Sequence, residues 1–536
     1  MVERRGETKE MKKQKRTSQE KGITLVALII TIIVLLILAV VAIRAVQGDG
    51  IISKAKEAKT KYEKAQREEE LKLLELEYQI ASENLIKRNG QIPEDGTYTP
   101  NGESSLTGGN NFPTTPQKGD IYEEGEYVYT YNKGTVSGRE YGTEWSVVAK
   151  DKTKTSYSQI LSEIVGKPVT HMTYTFDGCD NLLTSPVIPK SVTDMYATFV
   201  RCKSLTIVPS IPNSVTNMHN TFNNCTSLTT APEIPSNVTN MNSTFAYCES
   251  LITAPAIPSS VTDMGLAFYE CHSLTTAPEI PSGVTSVTRM FYNCYSLTAA
   301  PPTIPGLHYI SETFAYCTSL TTAPEFLDGV HIMKETFKGC TSLTTVPEIP
   351  NSVTEMNSTF SGCTSLITLP EIQSGGSVDL YSTFKGCTSL TTVTEISSSV
   401  RYMGGTFSGC TSLTTVSEIP SSVISLYETF EGCTSLTTVP EIPSSVTSLS
   451  GTFEGCTSLT TVPEIPSSVR NMGRTFSGCT SLTGTIEINA NLHSYSDYYY
   501  RECFKDTTKP ITLTGSSTWL STLAGTANNG NVTVSQ

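Results

Sequence analysis

Apolar residues return at the same positions every 23 residues through most of the chain. Each unit carries Val, Met, Phe, Cys, Leu, Val or Ala, and Ile at spacings of about three, with Thr, Ser and Glu between them. The cysteines run from Cys179 to Cys363 in steps of 23, and the two later steps of 24 lead to Cys387 and Cys503. A fixed period of this length is typical of a solenoid, because one unit cannot bury its apolar edge alone. The pattern predicts a solenoid of about 14 coils over residues 169–488.

Within each unit the pattern favours short extended segments over helix. A Pro-x-x-Pro motif limits any helix to about ten residues. The most strand-like segment is Leu-Thr-Thr-Val, as at 436–439, because β-branched residues favour strands. Pro440 lacks an N–H, so we expect the strand to end or bulge there. Residues 446–449 form a second, weaker candidate, either strand or 3₁₀ turn.

The repeated unit resembles a known family. Residues 429–446 read T-F-E-G-C-T-S-L-T-T-V-P-E-I-P-S-S-V, which is similar to the BspA-type (Treponema pallidum-type) leucine-rich repeats of bacterial surface proteins. The resemblance implies a β-rich leucine-rich-repeat solenoid with adhesion or surface-interaction roles and no enzymatic activity. The Pro in the middle of the P-E-I-P piece departs from the family, whose members often carry a β-branched residue there.

The amino-terminal 43 residues have the pattern of a membrane anchor. Residues 1–22 carry eight Lys/Arg and four Asp/Glu, and residues 23–43 contain neither a charge nor a proline. As a helix, 21 residues would extend roughly 31 Å, enough to cross a bilayer once. A basic flank stays in the cytoplasm, so the rest of the chain would lie outside. We therefore predict a single-pass protein of the bacterial cytoplasmic membrane with its repeat domain outside the cell.

The junction of leader and apolar run resembles a processing signal. The sequence K-G-I-T-L-V-A-L-I-I around Gly22 is similar to the class III signal of type IV prepilins and pseudopilins. The resemblance implies that a prepilin peptidase cuts after Gly22 and methylates Ile23, and that pilin subunits are possible partners. The fifth mature residue is Ala27, whereas the family usually has Glu, which argues against a major pilin. A plain uncut anchor is the alternative.

The remaining segments are predicted to link and close the solenoid. Residues 44–90 have apolar residues at alternating steps of three and four, which indicates an amphipathic helical stalk or short coiled coil. Residues 91–118 are a linker rich in Pro, Gly and Asn. Residues 119–168 are expected to form a small β cap, since Tyr127 to Tyr131 alternate. Residues 489–536 are expected to form a C-terminal cap with a strand near 511–513.

Composition narrows the function classes. The chain has a net charge of −13, and −17 once the +4 leader is removed, so nucleic acid is not an expected partner. No G-x-S-x-G, H-E-x-x-H, phosphate-binding loop or dinucleotide fingerprint occurs. We expect no catalytic residues, no cofactor and no metal ligands, and the six histidines are expected to be solvated.

The cysteines allow two interpretations. Export would permit disulfides, but there is one Cys per coil and their number is odd. Side chains on stacked coils keep their Cβ atoms about 4.8 Å apart, outside the usual disulfide range of roughly 3.5–4.5 Å. The pattern favours a ladder of reduced thiols in the core.

Two exposed columns are candidate binding features. One Glu per coil would stack in eight successive coils, and carboxylate oxygens are what Ca²⁺ binds. The alternative is a solvated acidic stripe. Stacked Thr pairs such as Thr437 and Thr438 would form a polar face or simply serve as strand residues. The acidic column is Glu325, Glu348, Glu371, Glu395, Glu418, Glu441, Glu464 and Glu487.

Three functional hypotheses follow. The leading one is a cell-surface adhesion or interaction protein, displayed by a pilin-like anchor, whose solenoid binds a host, matrix or bacterial surface ligand. The second is a minor, tip-located pseudopilin of a type IV pilus, type II secretion or DNA-uptake machine. The third, a surface hydrolase, has no catalytic constellation to support it.

Overall fold

A computed structural model describes residues 121–131, 144–164, 166–370, 372, 378–493 and 496–535. All of these belong to one compact unit, Asp95–Gln536. The predicted leader with Gly22 and Ile23, the membrane helix 23–43, the stalk 44–90 and the linker 91–118 lie outside the described residues. Within the described part, no helix is both long and apolar enough to cross a membrane.

The repeats stack as successive turns around a continuous apolar core. One phenylalanine from each turn lies ring on ring with the next, with centroids 5.2–5.9 Å apart and ring planes within 24° of parallel from Phe176 to Phe504. The Cys and Leu that follow are also fully buried. The 23-residue period therefore corresponds to one turn, as predicted.

Both predicted extended segments pair between turns, but the second is the more regular. The column containing Ser425 and Ser448 forms parallel bridges or short strands between nearly all successive turns from His171 to Asn471. The Leu-Thr-Thr-Val column pairs in fewer turns, and residues 436–439 themselves carry no strand. The strands in the solenoid are β6 Thr303–Ile304, β7 Glu325–Phe326, β8 Val378–Asp379, β9 Thr392–Val393, β10 Val400–Tyr402, β11 Thr415–Val416 and β12 Gly484–Glu487.

Strands form in the first segment only in turns, among those described, where its usual proline is replaced. In most turns a Pro follows the Val and cannot donate to the ladder. Ile486 replaces that Pro, and there β12 extends to four residues in regular register with the next strand. Thr394 and Ser417 also replace that Pro, directly after the two-residue strands β9 and β11. Residues 436–439 carry no strand, so the expected strand end at Pro440 stays a prediction.

Two left-handed residues in each turn allow the chain to bend around Phe. Ser358 (φ 55°) lies two residues before Phe360, and Gly362 (φ 77°) lies two residues after it. A buried Thr fills the inside of the bend. The Oγ1 atom of Thr359 lies 2.8 Å from the Met333 carbonyl oxygen and 2.7 Å from that of Met356. The side chain thus satisfies backbone carbonyls that the tight turn leaves facing inward.

The segment predicted as a small β cap contains a sheet with strand order β1-β2-β3-β5-β4. Its strand β5 continues into the first turn, because His171 forms a parallel bridge with Asp194. Trp145 is fully buried and its Nε1 donates to the Ile164 carbonyl oxygen (3.2 Å). The sheet consists of β1 Ile121–Glu124, β2 Tyr127–Tyr131, β3 Trp145–Ala149, β4 Glu163–Ile164 and β5 Lys167–His171.

At the other end the stacking continues into the predicted cap. β12 pairs in parallel with β13, which pairs in parallel with β14, so the solenoid has ~17 turns rather than about 14. The additional C-terminal turns differ in length from 23 residues, so counting strict 23-residue repeats did not include them. The elements are the 3₁₀ helix Asp497–Tyr499, β13 Ile511–Thr514, the helix α1 Leu520–Ala524 and β14 Val532–Val534.

The last cysteine does not continue the cysteine column. Phe504 stacks on Phe476, and the Phe476 N–H donates to the Cys503 carbonyl oxygen (2.8 Å). In earlier turns that acceptor is the inner Thr, as where Phe453 donates to Thr475. Cys503 therefore occupies the Thr position of its turn, and Thr507 occupies the Cys position. The turn from Phe476 to Phe504 is longer than those before it, so the spacing of 24 residues from Cys479 to Cys503 resembles the repeat period only by coincidence.

Candidate binding surface

The core cysteines form a ladder of free thiols. All fifteen are buried and unpaired as disulfides. From Cys202 to Cys479, each Sγ donates to the carbonyl oxygen of the Phe in the preceding turn at 3.0–3.2 Å. Burial raises the pKa of Cys410 and of Cys456 to about 12. The column is therefore a structural feature, and a neutral thiol is a poor nucleophile or metal ligand.

The predicted acidic column lies on the surface. Glu325, Glu348, Glu395, Glu418, Glu441, Glu464 and Glu487 are all exposed, and Glu371 lies outside the described residues. The Asn489 Nδ2 atom donates to Glu464 Oε1 (2.6 Å) and Glu487 Oε1 (3.2 Å). Within the described residues, no group of three or more His, Cys, Asp or Glu could hold a metal ion. Binding by this column stays a prediction.

The exposed threonine columns use their hydroxyl groups within the solenoid. The Thr460 Oγ1 atom donates to the Thr437 carbonyl oxygen of the preceding turn (3.1 Å), and Thr414 donates to Thr391 in the same way (3.1 Å). These contacts cross-link successive turns on the outer side. The geometry favours the structural interpretation of the Thr pairs.

Sequence variation concentrates at the outer edge of the turn, just after Phe. Two residues after Phe, seven consecutive turns carry a left-handed Gly from Gly339 to Gly478. The four turns before these, from Phe245 to Phe314, carry tyrosines at this edge instead. We call the following set the tyrosine cluster: Tyr247, Tyr269, Tyr292, Tyr295 and Tyr316.

Four rings of the tyrosine cluster, those of Tyr247, Tyr269, Tyr292 and Tyr316, pack against one another across four turns. Tyr269 and Tyr292 are stacked, with centroids 5.0 Å apart and an angle of 10°. Tyr247 meets Tyr269 edge to face at 5.2 Å, and Tyr316 meets Tyr292 edge to face at 5.4 Å. Tyr295 stacks on His272 at 4.6 Å. Contacts of this kind hold the rings in fixed positions.

Burial differs along the cluster. Tyr247 is 40% exposed and Tyr295 is 41% exposed, whereas Tyr269 and Tyr292 are half-buried. Desolvation, together with the neighbouring Tyr247, raises the pKa of Tyr269 to about 12, and desolvation also raises the pKa of Tyr292. The phenols of Tyr269 and Tyr292 are therefore neutral hydrogen-bonding groups at physiological pH.

Polar side chains are interleaved with the rings. Glu270 accepts from Asn293 Nδ2 (2.8 Å) and contacts His272 Nε2 (2.7 Å). Arg289 makes a two-pronged contact with Glu312, with both N···O distances at 2.9 Å. The arrangement is a semi-rigid surface that combines aromatic rings with amide, imidazole and carboxylate groups.

Sequence reasoning overlooked this surface because the repeat was treated as nearly uniform. The signal was present, since Tyr occurs at consecutive turns where later turns have Ser, Lys, Glu or Gly. The prediction that all histidines are solvated is also too simple. His272 and Tyr295 are stacked, as are His308 and His331, whose ring centroids lie 4.6 Å apart.

Several solved structures are similar to this chain. A leucine-rich repeat protein from Bacteroides ovatus has 22% identity and a TM-score of 0.49, over 74% of this chain and 100% of that one. A leucine rich cell surface protein from Faecalibacterium prausnitzii has 22% identity and a TM-score of 0.39, over 70% and 96%. The T. pallidum leucine rich repeat protein has 24% identity and a TM-score of 0.29, over 33% and 83%. No protein of curated function matches the chain.

A family model accounts for the repeats themselves. The BspA type Leucine rich repeat region (6 copies) matches residues 170–298, 243–367, 308–429 and 405–518, which together span more than half of the chain. Solenoids of this family are typically non-enzymatic binding proteins, which confirms the prediction that the chain is not an enzyme. With its stacked 23-residue turns, the chain belongs to the BspA-type leucine-rich repeat family.

Proposed function

We propose that this chain is a bacterial cell-surface adhesion or interaction protein that binds its ligand through the outer edge of the solenoid. The tyrosine cluster carries this proposal, because it is an exposed, ordered departure from an otherwise repetitive surface. Exposed aromatic residues beside polar ones are typical of recognition sites. Membership of a family of binding solenoids supports the same function.

The proposed anchor is the amino-terminal segment. The +4 leader of residues 1–22 and the uncharged run 23–43 support a single membrane crossing with the repeats outside. Gly22 before the run supports processing by a prepilin peptidase. The net negative charge of the remaining chain is compatible with an exported protein and unfavourable for nucleic-acid binding.

A second candidate is a minor pseudopilin located at a filament tip. The specific observation in its favour is Ala27, which stands where interior pilin subunits usually carry Glu. A segment without that carboxylate would lack its pairing partner within a filament, where a charge is tolerated only if paired. A solenoid of ~17 turns is also bulky for close packing between pilin subunits.

Mass spectrometry of the amino terminus tests the anchor. Protein recovered from the producing cells is expected to begin at Ile23, with a methyl group on its amino nitrogen. A Gly22→Val variant serves as the matched control and should keep the leader. Surface-located wild-type protein that still begins at Met1 would refute the pilin-like processing, leaving a plain anchor.

A further inference from the structure

We infer that the tyrosine cluster binds a neutral, extended oligosaccharide that lies along the solenoid axis. The inference rests on the proposed function as a binding protein and names the class of ligand for that surface. It is carried by three features of the described residues: the spacing of the rings, the groups between them, and the balance of charge around them.

The ring spacing fits a sugar chain better than a peptide. The two exposed rings, Tyr247 and Tyr295, belong to turns two apart, and the core Phe rings of these three turns lie 5.6 and 5.6 Å from one to the next. One hexose in an extended, equatorially linked chain advances by a similar length. An extended polypeptide presents a side chain on the same face only about every 6.6 Å, so its side chains would fall out of step with the turns. Tyr269 and Tyr292 are stacked on each other, so the rings open to a ligand are Tyr247 and Tyr295, which would meet every second sugar of the chain.

The exposed rings provide an apolar platform beside hydrogen-bonding groups. Tyr295 is packed on His272 on one side, and the next turn carries the smaller Thr318 at its position. Tyr247 is similarly exposed at the other end of the cluster. The C–H face of a sugar packs on such rings, while its hydroxyls need both donors and acceptors. Glu270 and Asn293, which lie between Tyr247 and Tyr295 in the sequence, supply an acceptor and a donor for these hydroxyls.

Charge pairing argues for a neutral ligand. Arg289 is paired with Glu312 (2.9 Å), and Lys338 lies over the Tyr316 ring (5.9 Å) while pairing with Glu335 (2.9 Å). The basic groups beside the cluster are thus already engaged by carboxylates. A polyanion would also meet the net negative charge of the chain. Sulfated glycans and nucleic acids are therefore disfavoured.

Preorganisation reduces the cost of binding. Tyr316 lies against Gly339, where a Cβ atom would come within 2.6 Å of its Cδ1 atom. The ring is therefore seated on backbone that only Gly permits. Because the rings are already held by one another and by the turns beneath, little side-chain freedom is lost when a ligand binds.

Calorimetric titration of the full-length chain in detergent tests the inference. The probes are three neutral β-1,4-linked hexasaccharides: cellohexaose, mannohexaose and chitohexaose. At least one is expected to bind, and the double variant Tyr247→Ala, Tyr295→Ala should bind it about tenfold more weakly or worse. Tyr295→Phe keeps the ring and should retain most of the affinity.

The control is Tyr402→Ala, because Tyr402 is 44% exposed but lies in a different column and a distant turn. It should leave affinity unchanged, and thermal unfolding should show all variants folded. Binding of none of the probes, or equal binding by the double variant, would overturn the inference. A failure here with the repeats located on the cell surface would reject the ligand class alone. Hexasaccharide binding by a protein not found at the surface would instead reject the proposed location.

Discussion

At the scale of single residues, the fold depends on side chains that hydrogen-bond to, or pack against, the adjacent turn. The inner Thr places its hydroxyl near two carbonyl oxygens, and the Cys thiol donates to the Phe carbonyl oxygen of the preceding turn. In the column from Phe176 to Phe504, each Phe stacks on the Phe of the next turn. Each position in the unit is therefore fixed by its neighbour one turn away, which is why the unit repeats so closely.

Thiol counting tests the state of the cysteines. Unfolded in denaturant without reductant, the chain should react with fifteen equivalents of an alkylating agent, because all its cysteines are free. The native protein should react slowly, because the thiols are buried and the thiolate is the reactive form. Recovery of markedly fewer than fifteen equivalents would mean that disulfides link the turns.

Stability should fall at alkaline pH. Burial raises the pKa of Cys410 to about 12 from an ordinary value of 9.0, so the folded state keeps a proton that the unfolded chain loses in that interval. The stabilisation is complete below pH 9 and decreases as pH rises towards 12. Urea unfolding should therefore show the stability difference between wild type and Cys410→Ala shrinking by about 1 kcal/mol from pH 9 to 10. A difference that stays constant would contradict the buried, neutral thiol.

Two glycines provide a matched test of the contact between Tyr316 and the turn that contains Gly339. Gly339 (φ +72°) and Gly362 (φ +77°) have the same left-handed backbone, but only a Cβ at 339 would clash with Tyr316. Both Ala variants should lose about 1 kcal/mol from backbone strain. Gly339→Ala should lose about 1–3 kcal/mol more from overpacking, measured by urea unfolding. Equal losses would show that Tyr316 does not rest on this turn.

At the scale of elements, proline determines where strands form. The second segment, which contains no Pro, bridges more regularly than Leu-Thr-Thr-Val, although β-branched residues favour the latter. Propensity alone thus ranked the two segments wrongly. Pairing between turns depends on whether each residue of the strand has a backbone N–H to donate. The sequence of one unit does not reveal which N–H groups face the next turn until the alignment of the turns is known.

The Ile486→Pro variant tests this explanation. The N–H groups of Gly484 and Ile488 donate to Pro510 and Thr514 on the adjacent strand, and Ile486 lies midway between them. A Pro there should weaken the pairing of β12 with β13 by about 1–3 kcal/mol, seen as faster amide hydrogen exchange in β13 Ile511–Thr514. Pro463→Ile, at the same position one turn earlier, should be tolerated. Unchanged exchange in Ile486→Pro would refute the role assigned to the proline.

At the scale of the molecule, the period predicted the solenoid but not its full length. The C-terminal turns vary in length. The spacing therefore placed Cys503 in the cysteine column, although it occupies the Thr position of its turn. The stacked strands β13 and β14 were likewise predicted as a cap and not as further turns. The tyrosine cluster was missed for a related reason. A consensus averages over turns, whereas Tyr269 and Tyr292 become a surface only when adjacent turns are stacked.

Immunogold labelling of intact cells with antibodies against the repeats is the most direct test of the proposed surface display. The outward-facing repeats should be labelled without permeabilisation, as isolated spots or at filament ends, because Ala27 disfavours interior filament positions. A strain lacking the gene is the control. Labelling that requires permeabilised cells would contradict surface display, and continuous labelling along filaments would contradict the low-copy, tip or single-pass arrangement.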